Sequence, residues 1–153
     1  MATKKAATVK RTTVTGKASG FSAEEKAAMR ERVKELKAAE GKADMEREVL
    51  EKIRSMPAAD RALGLRIHAI VKANAPGITS RLWYGMPSYA KNDKIVCHFQ
   101  DANKFKMRYA TLAFTDEAKL DEGTMWPNAY ALTAKLTAAD EAKIVALVKK
   151  AVS

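Results

Sequence analysis

The sequence predicts an α+β fold: a compact antiparallel sheet of short strands packed with helices, preceded by an N-terminal helical hairpin. Apolar residues recur at helical spacing in four windows, three of them before Pro76 and one after Thr137. Short alternating segments occur only in the stretch between, where nine of the ten aromatic residues also lie, from Trp83 to Tyr130. Helices at both ends around a centre of short strands make an α+β arrangement.

The first 20 residues carry five bases and no acid, without apolar periodicity, and read as a disordered basic tail. Ser22-Ala23-Glu24-Glu25 is a capping box, and Met29, Val33 and Leu36 follow on one helical face. Gly41 is the expected stop. A second helix, from about Asp44 to Arg54, buries Met45, Val49, Leu50 and Ile53, so residues 21–56 form the hairpin. A third helix follows Pro57, with Leu63, Ile67, Ile70 and Val71 as its apolar stripe, and opens the main domain, residues 57–153.

Trp83-Tyr84-Gly85-Met86-Pro87-Ser88-Tyr89 combines four large side chains with a glycine and a proline, and reads as a bent or bulged edge strand. Lys91-Asn92-Asp93-Lys94 is a turn into a strand on which Ile95, Cys97 and Phe99 share the core face. Phe105, Met107 and Tyr109 alternate with Lys104, Lys106 and Arg108, which predicts a hairpin partner for that strand. Leu112 to Phe114 and Tyr130 to Leu132 are further strands. Thr137-Ala138-Ala139-Asp140 caps a last helix that buries Ile144, Leu147 and Val148.

Composition narrows function by exclusion. A chain of 153 residues, 47% hydrophobic and 30% charged, is globular, not wholly disordered. One cysteine, Cys97, makes no intramolecular disulfide, and no apolar run approaches the roughly 18 residues of a membrane span. The expected location is cytoplasmic, with no membrane partner. Cys97 and His98 alternate on a strand and cannot share an ion, and His68 has no second histidine at helical spacing. No nucleophile, base and oxyanion hole assemble, so a non-catalytic protein is expected.

Three sets of residues remain as binding candidates. Lys104, Lys106 and Arg108 on one strand face, with the basic tail, would grip a polyanion or nucleic acid in a salt-sensitive way. Trp83, Tyr84, Met86 and Tyr89 on one side, with Trp126 and Tyr130 on the other, would line an aromatic groove for a small molecule. Asp116, Glu117, Asp121 and Glu122 flank Leu120 and would offer carboxylates to a hard cation. An exposed bent edge strand leaves a dimer open.

The run Tyr84-Gly85-Met86-Pro87-Ser88-Tyr89 resembles the hallmark Tyr-Gly-Met-Pro-x-Tyr of the YdhG-like family of small bacterial domains. The likeness continues in a helix ending at Ala75-Pro76, the strand Lys94 to Phe99, Lys104 at the next strand and the capped helix Thr137 to Ala151. Asp60-Arg61, Phe99-Gln100, Lys104-Phe105, Arg108 to Leu112 and Met125-Trp126-Pro127 look like an actinobacterial-type branch with extra N-terminal helices. The resemblance implies a compact α+β domain with an antiparallel sheet. A bacterial member described as a frataxin-like iron chaperone further implies iron binding and delivery to an iron-receiving protein. Frataxin-like iron binding uses exposed carboxylates, which here means Asp116, Glu117, Asp121 and Glu122.

Overall fold

The computed structural model describes residues 20–153. All but the last residue of the basic tail lies outside the described residues. The remainder is an α+β fold with an N-terminal helix and a five-stranded antiparallel sheet in the order β1-β2-β3-β4-β5. The elements are α1 (Ala23–Arg54), α2 (Ala58–Asn74), β1 (Thr79–Trp83), β2 (Met86–Lys91), β3 (Lys94–Gln100), α3 (Ala102–Phe105), β4 (Ala110–Phe114), β5 (Ala129–Leu132) and α4 (Ala138–Ala151).

The expected helical hairpin is instead one unbroken helix of 32 residues. Ser22 caps it as predicted, its Oγ accepting from the Glu25 amide at 3.1 Å. Gly41 does not stop it. A glycine costs a helix about 1 kcal/mol against alanine, and the strong helix formers Ala38, Ala39, Glu40, Lys42 and Ala43 on either side outweigh that. Gly41 is nevertheless where the chain divides into two units. In the first unit, Met29, Val33 and Leu36 of the helix are each half exposed. From Lys42 onward every element belongs to one compact unit.

In that unit Val49 and Ile53 of α1, Ile67 and Val71 of α2 and Ile144 and Val148 of α4 join Tyr89, Cys97, Phe99, Leu112, Phe114 and Leu132 of the sheet in one core. Gly64 lets α1, α2 and the sheet close together: a Cβ there would lie 3.0 Å from Ile53 and 3.3 Å from Phe99. Arg66 of α2 and Glu141 of α4 form a two-pronged ion pair across the helical layer. The capping box at Thr137 is complete, with both Thr137 and Asp140 side chains accepting backbone amides.

Strand order revises the reading of the Trp83–Tyr89 segment. It is the turn of a β1–β2 hairpin, not an edge strand, and β2 lies inside the sheet. Tyr84 (φ 50°) and Gly85 (φ 73°) both take the left-handed region, as a two-residue type I′ turn requires. Pro87 is tolerated because pairs alternate along the ladder. Trp83↔Met86 flanks the turn as a hydrogen-bonded pair, so at Leu82↔Pro87 the missing N–H would have faced β3, and the β2–β3 ladder begins only at Ser88↔His98. Asn92 (φ 51°) and Asp93 (φ 64°) make the second such turn, where the sequence predicted one.

The alternation along β3 is also broken. Pairing passes from Tyr89↔Cys97 directly to Ala90↔Ile95, leaving Val96 as the extra residue of a β-bulge. Val96 and Cys97 therefore both enter the helix-facing core, while Ile95 pairs with Ala90 on the opposite face.

The predicted strand Phe105 to Tyr109 does not form. Asp101 caps the short helix α3 by accepting from the Lys104 amide, and Asp60 of α2, buried, accepts from the amides of Ala102 and Asn103 at 3.1 Å each. Two carboxylates gathering three successive amides impose a helical turn on residues whose side chains alternate like a strand. Lys106 (φ 53°) then leaves it in the left-handed region.

The Tyr84-Gly85 turn yields opposite outcomes for two substitutions. Gly85→Val should destabilise the protein by about 1 kcal/mol or more, because a β-branched residue resists positive φ. Tyr84→Asn should stabilise it by roughly 0.5–1 kcal/mol, since asparagine suits the first position of this turn. Urea unfolding of the two variants, each against the parent chain, checks both signs.

Candidate functional site: the open face of the sheet

Sheet register sorts the strand residues onto two faces. Helices cover the face carrying Tyr89, Cys97, Phe99, Leu112, Phe114 and Leu132. The opposite face is aligned in rows across the strands. One row runs Arg81, Ser88, His98, Ala113, Ala129, each paired with the next; a second contains Trp83 with Met86, and Gln100 with Thr111 and Ala131. Side chains are large at the β1 end and shrink to alanine at the β5 end, which gives this face the shape of a shelf below a wall.

The wall is built by Trp83, His98 and Arg81. The Trp83 and His98 rings lie 5.3 Å apart between centroids, tilted by 59°. Tyr84 meets Trp83 edge-on at 5.0 Å and is itself 79% exposed. Arg81 donates from Nη2 to the Asp93 carbonyl at 3.3 Å, which holds its guanidinium over the sheet. Two nitrogens in this group, Arg81 Nε and His98 Nδ1, are buried without a hydrogen-bond partner. A buried polar atom left so costs about 1–3 kcal/mol, and such atoms in a folded protein ask for an explanation. Burial holds the His98 imidazole below its ordinary pKa, so the ring is neutral at neutral pH.

On the helix face a second polar group forms, centred on Tyr89. His68 Nδ1 lies 3.1 Å from the Tyr89 hydroxyl, and His68 Nε2 lies 3.0 Å from Glu46 Oε1. A carboxylate accepts only, so Nε2 carries the proton and donates to Glu46, and in the neutral ring Nδ1 accepts from the Tyr89 O–H. Lys72 donates to the other oxygen of Glu46 at 3.2 Å. The His68 hydrogen bond above all, with Lys72 helping, holds the Glu46 carboxyl below its ordinary value. Burial, with the Cys97 and Glu46 charges adding to it, drives the Tyr89 hydroxyl far above the usual tyrosine range. Burial alone pushes the Cys97 thiol up to about 12. Cys97 is thus a buried neutral thiol, as its core position in the sequence suggested.

The predicted site residues divide accordingly. Trp83, Tyr84 and Met86 belong to the open face and its rim, whereas Tyr89 points to the helices, and Trp126 and Tyr130 lie at the far edge of the sheet with β3 and β4 between. The two aromatic clusters therefore do not face one another across a groove. Tyr130 packs edge-on against Phe114 at 6.1 Å, and Lys143 sits 5.6 Å over its ring. Lys104, Lys106 and Arg108 do not form a row, because the strand that would align them is α3 and an irregular exit. Lys104 Nζ instead donates to the Tyr84 carbonyl at 2.9 Å and Arg108 stacks on Tyr109 at 5.6 Å. Asp116, Glu117, Asp121 and Glu122 are all exposed and not gathered, Glu117 pairing with Lys94 at 3.7 Å. Among the described residues no group of three or more His, Cys, Asp or Glu side chains is placed to hold a metal ion. Sequence reasoning missed Arg81 and His98 as a pair. The signal was there only in part: an arginine and a histidine on strands of unknown register.

Among the described residues no helix is long and apolar enough to cross a membrane. Comparison of the chain with protein-family models, with curated proteins and with solved structures returned no match.

The stacked pair gives a direct pH readout. In Trp126→Phe, Trp83 is the only indole, and a protonated His98 should quench it. Its fluorescence should rise with pH with a midpoint below the ordinary histidine value of 6.5. The lowered pKa also sets the sign for stability: the contribution of His98 is complete above 6.5 and is lost as pH falls through the folded-state value. A midpoint at or above 6.5 contradicts the burial of the ring. On the helix face, Tyr89→Phe leaves His68 Nδ1 buried without its donor and should cost about 1–3 kcal/mol in urea unfolding. Glu46→Gln, which keeps an acceptor for Nε2, should cost less.

Proposed function

We propose that the protein is a non-catalytic binding domain of the YdhG-like type, and that its ligand is a small planar molecule carrying an acidic oxygen. The observation that carries this reading is the wall of the open face. An indole face, a neutral imidazole and a guanidinium stand within one patch, and two of its nitrogens are left without partners. A planar ring would stack on Trp83, and its carboxylate or phenolate would face Arg81, whose planar fork suits two-oxygen acceptors. The alanine shelf at Ala113, Ala129 and Ala131 leaves room for the remainder of such a molecule.

Tyr84 supports the same reading from backbone chemistry. A non-glycine residue held at positive φ costs of order 1 kcal/mol, and here the side chain so held is exposed at the rim beside Trp83. An asparagine would make the turn without strain but would offer no ring. Iron delivery loses its support, because the carboxylates that would carry it are dispersed. A polyanion grip through Lys104, Lys106 and Arg108 loses its geometry in the same way.

The test uses benzoate, salicylate and nicotinate as probes on the full-length Trp126→Phe protein. Binding should raise the melting temperature and change Trp83 fluorescence in a saturable manner. Arg81→Gln should weaken binding by roughly tenfold or more while leaving the circular dichroism spectrum unchanged. Absence of stabilisation by all three probes, or equal binding by Arg81→Gln, overturns the proposal.

A further inference from the structure

A cleft of about 310 Å³ opens on the other side of β1, lined by Lys42, Glu46, Lys72, Gly77, Thr79 and Ser80 among others. Three features distinguish it from an ordinary surface depression. Ser80 is 3% exposed, and its Oγ is buried with no hydrogen-bond partner. Ser80 stands opposite Tyr89 at a non-hydrogen-bonded position of the β1–β2 ladder, so its backbone N–H and C=O point away from β2, toward the free edge of the sheet. Glu46 is locked in place by His68 and Lys72, so its carboxylate orientation is set before anything binds.

We infer that this cleft binds a small carboxylate that also bears a hydroxyl or amino group on the adjacent carbon. The charges favour an anion: Lys42 and Lys72 against Glu46 leave one net positive charge in the lining. Lys42 makes no ion pair among the described residues, so its ammonium is available. The ligand carboxylate is placed by Lys42 and by the Ser80 hydroxyl, which lacks an acceptor in the free protein. The hydroxyl or amine is placed by Glu46, whose oxygens each have one donor already and a lone pair left. A plain monocarboxylate would satisfy the first group and leave Glu46 facing it unrelieved, so the second polar group sets the specificity. The site is separate from the open face, and either could fail without the other.

Nuclear magnetic resonance titration of the full-length, nitrogen-15-labelled protein with glycolate tests this, with acetate and sodium chloride as matched controls. Glycolate should move the Ser80 amide and the His68 ring signals to saturation in the millimolar range. Acetate should bind roughly tenfold more weakly. Ser80→Ala removes a buried hydroxyl with no partner, so it should keep the fold while weakening glycolate roughly tenfold. Lys42→Ala, a change at an exposed helical position, should do the same. Shifts that sodium chloride reproduces at equal ionic strength, or glycolate affinity unchanged in both variants, overturn the inference.

Discussion

Tyr89 has no exposed surface, and a phenol in that position must find an acceptor inside the protein. The chain supplies one through His68, which is held in the right tautomer by Glu46, which is held in turn by Lys72. This chain of hydrogen bonds crosses from the sheet to α2 and on to the part of α1 that follows Gly41. Hydrophobic burial brings those elements together without fixing their register. A directed series of polar contacts fixes it, because a slip of one residue would leave several of these groups buried and unpaired. Apolar packing around it is close, as Gly64 against Ile53 and Phe99 indicates, so the polar chain and the core constrain the same helix positions.

The sheet that carries Tyr89 is placed by two left-handed turns, and they differ in how readable they are. Asn92-Asp93 is written in residues that tolerate positive φ, so the turn and the strand after it are visible in the sequence. Tyr84-Gly85 performs the same role with a tyrosine where asparagine would be expected, and local chemistry then points to a bent edge instead of a hairpin. Missing that turn hides β1, since Thr79–Trp83 has no clear alternation and Pro76-Gly77 before it read as the end of a helix. The strands β4 and β5 and the last helix were legible because periodicity and caps agree there.

One error arises because side-chain pattern is a weaker constraint than a specific polar contact. From Lys104 to Tyr109 the alternation of cations and aromatics is as regular as any in the chain. It loses to Asp60 and Asp101, one of them 42 residues away from the first amide it holds. Gly41 fails as a stop because the strong helix formers on both sides outweigh the cost of one glycine. The open face was illegible at a further level. Arg81 and His98 become neighbours in a row only after a two-residue turn sets one register and the bulge at Val96 shifts the next. Neither step has a signature in a single sequence.

That bulge also decides which side chains of β3 stand on which face. By adding one residue to β3 it sends Val96 and Cys97 to the helices and leaves His98 on the open side. Cys97, with Tyr89 paired to it on β2, is enclosed on that side, and both hold their protons firmly. The histidine on the open face, His98, is half-buried, which keeps it neutral, and it has no carboxylate to orient it among its described contacts. General acid–base work asks for a poised group paired with an orienting partner. Here the oriented histidine, His68, is buried, and the half-buried one, His98, is not oriented. The proposed recognition by shape and fixed charge on the open face rests on this division, with the polar groups of the helix face tying the sheet to the helices.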